Sequence, residues 1–389
     1  FAGLTELSDE TAVALSGVRF DESPEGLRKS LFLDGVRTLS PAALRALRHF
    51  EVLSLNGLAT LSAETARALA QAGYYHERLS LDGLTSISPA VARLLRSHAK
   101  TLSLNGLRDL DPDTAAALVD SRAGQWLSLE GLTSLSPEVA RALADGGKIT
   151  LELDGLTTLS PDAARALERL FNQASFNGLT SLSPEVAAAL GATRLNSLSL
   201  DGLTDLDAET AKAVAGEYER SLSFGGLTSL SPEAAAALAN RGLSLDGLTS
   251  LSPQTARALA RGKYLSLNGL SELSLDAAKE LALLEQTLSL NGLSDLPAEV
   301  AGALAEMRGY KLSLNGLKEI SLEAAELLVK SRAKIVELEG LVNVSPEVLR
   351  TLNRYRLQRG RGSELELGLP DDVWQQMQRL PRIEDDVNR

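Results

Sequence analysis

Residues 127–144 read LSLEGLTSLSPEVARALA, and this phrase decides the fold. It returns as LSLNGLATLSAETARALA at 53–70, as LSLDGLTSISPAVARLLR at 79–96 and as LSLDGLTSLSPQTARALA at 243–260. The glycine marks its phase, from Gly35, Gly57, Gly83, Gly106, Gly131 and Gly155 through to Gly340, at spacings of 21 to 26 residues. A self-similar period of this size predicts stacked coils, each too small to hide its own apolar side.

Within the phrase the period changes. Leu127-Ser128-Leu129 alternates apolar and polar, which predicts a short strand with both leucines on one face. An acid or amide followed by glycine then turns the chain, glycine being free to take positive φ. Leu132 and Leu135 are placed to fill the interior of the coil. Ser136-Pro137-Glu138 is a helix start: a serine N-cap, a proline whose missing N–H costs nothing there, and an acid at the positive end of the dipole. Val139, Ala140 and Leu143 give the short helix an apolar side, and its alanines let neighbouring helices approach closely.

The unit resembles a leucine-rich repeat, with a leucine-bounded strand, an asparagine beside it, a helix and a period in that family's range. The resemblance covers residues 1–346 and implies an α/β solenoid: right-handed coils, a parallel sheet on the concave face, short helices on the convex face. It also implies use as an interaction surface. One departure concerns the asparagine, which follows the strand leucine directly (Leu104-Asn105) where the family pattern leaves two residues between. The turn is tighter for it, and whether it forms an asparagine ladder of the family's geometry is left open by the sequence. Strands stack about 4.8 Å apart and helices about 8–10 Å, so the coils are expected to bend into an arc.

The chain has 389 residues and a net charge of −12, which argues against a nucleic-acid or anionic-membrane surface. It contains no cysteine, so no disulfide and no thiolate metal site is available. No apolar run is long enough for a membrane span. Phe1 falls inside a repeat, which reads as the start of a fragment or a processed product. Three regions are expected: partial and shortened coils at 1–30, the repeat solenoid at 31–346, and a capping segment at 347–389. In the last, Leu365–Leu369 read as a final strand, and Val373, Trp374, Met377 and Leu380 as the apolar side of a covering helix.

Candidate sites are few. The outer sheet face should carry a serine column, from Ser54 to Ser313, interrupted at Glu152 and Glu337. Glu130, Glu152 and Asp154 fall on adjacent coils and form an acidic patch suited to a cationic partner; stacked like charges cost stability. Aromatics in the return segments, Tyr74, Tyr75, Trp126, Tyr218, Tyr264 and Tyr310, can anchor a partner, Trp126 foremost. His49, His76 and His98 share one phase of three coils, read as exposed return loops rather than a zinc column. Asp201, Asp205 and Asp207 have calcium-like spacing without the rest of the loop. Arg350, Arg354, Arg356, Arg359 and Arg361 balance local charge.

A serine repeated in every coil cannot be a unique nucleophile, and no phosphate loop or metalloprotease motif is present. The expectation is a non-catalytic module without metal or cofactor. It would hold a protein partner through Trp126, Glu130, Glu152, Asp154 and Tyr264. The alternative is a self-associating building block of a larger assembly.

Overall fold

The computed structural model describes residues 4–17, 29–70, 76–96, 98–119, 125–146, 148–342, 344–358 and 366–379, with backbone only for 354–358. Residues 18–28 of the shortened coil read at 18–30, together with Tyr74, Tyr75, Arg359, Arg361, Leu365 and Leu380, lie outside the described residues. The chain divides into two compact units, Phe1–Ser199 with Gly216–Tyr218, and Leu200–Ala215 with Glu219–Arg389.

Both units are built from one coil, a three- to five-residue strand, a turn and a short helix. In the first, the described strands are β1 (Ser30–Phe32), β2 (Val52–Ser54), β3 (His76–Ser80), β4 (Ala99–Ser103), β5 (Gln125–Ser128), β6 (Ile149–Glu152), β7 (Gln173–Ser175) and β8 (Ser197–Ser199). Each pairs in parallel with the next, leucine opposite leucine and serine opposite serine except where Phe32, Glu152 and Ala174 take those places. In the second, β9 (Ser221–Ser223), β10 (Gly242–Ser244), β11 (Tyr264–Ser266), β12 (Thr287–Ser289), β13 (Lys311–Ser313), β14 (Ile335–Glu337) and β15 (Glu366–Gly368) pair in the same way. The solenoid read from the repeat is the fold observed.

The helix signals act as their chemistry requires. Ser136 Oγ accepts from Val139 N at 3.2 Å, and the same serine cap recurs at Ser62, Ser88, Ser160 and Ser252. Such a cap is worth about 1 kcal/mol. The core between sheet and helices is leucine and alanine. Leu127, Leu129 and Leu132 are buried, as are Val139, Ala140 and Leu143 from helix α6 (Pro137–Ala144).

The turn glycine has a different reason from the one expected. Gly131 does not take positive φ; a Cβ there would meet Asn105 O at 2.2 Å and Leu107 O at 2.4 Å. The preceding coil's carbonyls leave no room for a side chain, so glycine sets how closely coils stack.

Candidate functional site

Alternation along the strand puts three residues of each coil on the outer sheet face. In the coil of Gly131 these are Trp126, Ser128 and Glu130, with Leu127 and Leu129 facing inward. The second and third columns interlock. Asn56 Oδ1 accepts from Ser80 Oγ at 2.6 Å and from Asp82 N at 2.8 Å in the next coil. Asp82 Oδ1 accepts from Ser103 Oγ at 2.5 Å and Asn105 N at 2.9 Å, and Asn105 Oδ1 from Ser128 Oγ and Glu130 N, both at 2.9 Å. The second unit repeats the pattern from Asp246 through Asn268 and Asn291 to Asn315, whose Oδ1 accepts from Glu339 N at 2.8 Å. An amide–carboxylate ladder therefore exists, which answers the question the sequence left open. It runs on the outer face, two residues beyond the serine, because strand alternation returns that side chain to the same side. Each serine of the column, Ser54 included, has its hydroxyl within hydrogen-bond distance of an asparagine or aspartate.

The ladder breaks twice among the described residues. Gly225 has no side chain to offer. Glu130 is one methylene too long; its nearest described partner is Ser128 Oγ at 3.3 Å, and it accepts nothing from the following coil. The rungs resume at Asp154, which accepts from Ser175 Oγ at 2.6 Å and Asn177 N at 2.9 Å. At this break Glu130 faces Glu152 and Asp154. Burial, then the charges of Glu152 and Asp154, push the Glu130 carboxyl above its ordinary range, with Ser128 opposing. No described cation pairs with any of the three. Trp126, Glu130 and Glu152 line one open depression of about 750 Å³, together with Asp82, Arg78 and the pair Lys100–Glu77, 3.5 Å apart.

Trp126 and Tyr264 are not return-segment residues. Trp126 sits in β5 opposite Thr101 and Thr150, and Tyr264 in β11 opposite Gly242 and Thr287. They occupy the first outward position of the strand, 40% and 44% exposed. The sequence reading missed this column because it began the strand at the leucine. The column varies from coil to coil, running Arg78, Thr101, Trp126, Thr150 and Gln173 in the first unit. That variation was the available signal. Tyr264 belongs to the second unit.

His76, His98, Asp201, Asp207 and Arg350 make contacts within the fold. His76 is a buried residue of β3, not a loop residue; its Nδ1–H donates to Phe50 O at 2.7 Å. His98 Nδ1–H donates to Leu94 O at 2.7 Å. Asp207 caps its helix through Thr210 N at 2.8 Å, and Asp201 is a ladder rung. Arg350 Nη1 lies 3.6 Å from Glu347.

The coil is leucine-rich-repeat-like: a parallel leucine strand, a turn bearing an asparagine ladder, and one helix. No protein-family model matches the sequence, and no curated protein does. Among solved structures, the chain is similar to a chain of the Drosophila Toll–Spatzle complex at 13% identity and a TM-score of 0.45, over 81% of this chain and 54% of that one. It is similar to a chain of the TLR13–ssRNA13 complex at 15% identity and a TM-score of 0.45, over 86% of this chain and 61% of that one. The chain thus spans less than two thirds of either.

Proposed function

We propose that this chain is a non-catalytic protein-binding module and that the sheet face of its first unit is the binding surface, through Trp126, Glu130, Glu152 and Asp154. The observation that supports this most is the break in the ladder at Glu130. Along most of the face the serine and amide–carboxylate columns hydrogen-bond to each other, and the other break, at Gly225, carries no charge. At Glu130 three carboxylates stand without a described cation beside an exposed indole, and an exposed indole is a frequent anchor of protein interfaces. The serine hydroxyls, all engaged by amides or carboxylates, argue against nucleophilic chemistry on this face.

The test places a photo-cross-linking residue at Gln173, exposed on the same face, and in a second protein at Arg93, exposed on a helix. The expected outcome is a discrete adduct from position 173 that disappears when Trp126→Ala is added. Equal labelling from both positions would overturn the assignment of the face. An adduct between two copies of the chain would replace it with self-assembly.

A further inference from the structure

The molecule presents the same acid twice. Glu152 and Glu337 both stand in the serine column, at the last residue of β6 and of β14. One coil before Glu337 the outer face carries Lys311, Ser313 and Asn315. Lys311 Nζ lies 2.5 Å from Glu337, Ser313 Oγ donates to it at 2.9 Å and Asn315 Nδ2 at 3.3 Å. One coil before Glu152 the same three places hold Trp126, Ser128 and Glu130. Where the second unit supplies an ammonium, the first supplies an exposed aromatic ring. Where the second supplies an amide donor, the first supplies another acid. The face of an indole attracts cations, and more strongly than other rings do.

We propose that the sheet face at Glu152 docks a lysine-bearing extended segment of a partner protein, whose ε-ammonium takes beside Glu152 the place that Lys311 Nζ has beside Glu337. This rests on the reading of that face as a protein-binding surface and names the chemistry of the partner. The depression at Trp126 is lined by residues of β2 to β6, which suits an extended chain lying across several coils. A free divalent ion fits less well, because among the described residues no three acids or histidines are placed to hold a metal. A nucleic acid would bring phosphates against Glu130, Glu152 and Asp154.

The chain has two tryptophans, so Trp374→Phe leaves Trp126 as the sole indole reporter. In that background, titration with a pentalysine peptide at low salt is expected to give a saturable change in emission. Glu152→Gln should weaken the apparent affinity at least about tenfold, as one charge-assisted contact is lost. Glu299→Gln, the same charge change on a helix of the second unit, should leave it within about twofold. Trp126→Lys, followed by calorimetry, should weaken pentalysine at least about tenfold, because the site then holds its own ammonium. Absence of a saturable change, equal affinity in Glu152→Gln and Glu299→Gln, or equally tight binding of a single-stranded oligonucleotide would each overturn the proposal. If pentalysine fails while the cross-link at Gln173 still depends on Trp126, the binding face stands and the lysine occupant alone is overturned. If both fail, the face is overturned as well.

Discussion

Glu152 and Glu337 occupy equivalent positions, yet one is a finished structural contact and the other is not. In the second unit, burial pushes the Glu337 carboxyl up, but the hydrogen bonds from Lys311, Ser313 and Asn315 and the Lys311 charge outweigh it, so its net shift is downward. In the first unit, Glu130 is shifted upward by burial and by Glu152 and Asp154. The coils around both acids are otherwise alike, with Leu153 and Leu338 fully buried and Gly155 and Gly340 packed on the preceding carbonyls. In the coil before each acid two outward residues differ, Trp126 against Lys311 and Glu130 against Asn315. Identical scaffolding thus separates what the fold needs from what the surface offers to other molecules.

If the two regions differ only at the surface, their interiors should respond equally. Leu153→Ala and Leu338→Ala should each cost about 2–5 kcal/mol, measured by urea unfolding, with similar losses for the two. A much smaller loss in the first unit would mean that its coil is not packed like its counterpart and would break the comparison.

The charged surface should give the next largest effect. Lys311→Met leaves Glu337 without its cation and should cost about 1 kcal/mol, because the pair is half-buried rather than fully exposed. Trp126→Lys should make the reverse change at Glu152 and stabilise the first unit by up to about 1 kcal/mol. Thermal melts of the two variants should therefore shift in opposite directions. Shifts of the same sign would mean that the two acids are not equivalent.

The smallest effect is in the pH dependence, and its sign differs between the regions. A carboxyl raised in the folded state binds its proton more tightly there. Its favourable contribution is full below the unfolded pKa, about 4.3, and is lost as pH rises through the folded value. Glu130→Gln should therefore be more stable than the wild type at neutral pH by a few tenths of a kcal/mol, and the advantage should vanish on acidification. Glu337 is lowered, so its stabilisation is present above the unfolded pKa and is lost as pH falls through the folded one. Glu337→Gln should accordingly be less stable than the wild type at neutral pH and approach it in acid. Melting temperatures of both variants between pH 3 and 7 check the two signs.

Much of the fold was legible because it is periodic and local. The Ser-Pro-Glu starts, the alternating leucines and the glycine phase each act within a few residues and recur, so Ser136, Leu129 and Gly131 announce their roles. The ladder was not legible, because the carboxylate of Asp82 meets Ser103 and Asn105, partners 21 and 23 residues away that only the register brings together. The acidic patch was seen, since Glu152 interrupts the serine column and Glu130 and Asp154 fall beside it on adjacent coils. Its contrast with Glu337 was hidden, because Lys311 lies 26 residues before that acid in sequence and is adjacent only across two strands. Trp126 was noticed as an aromatic and misplaced to a loop, because its strand begins one residue earlier, at Gln125.

The most direct measurement is the titration of individual carboxyl groups by NMR, with and without saturating pentalysine. The account predicts that the peptide moves the Glu130 pKa downward, as an added ammonium relieves the repulsion, while Glu337 keeps its value. Equal movement of both groups, or movement of Glu337 alone, would contradict it.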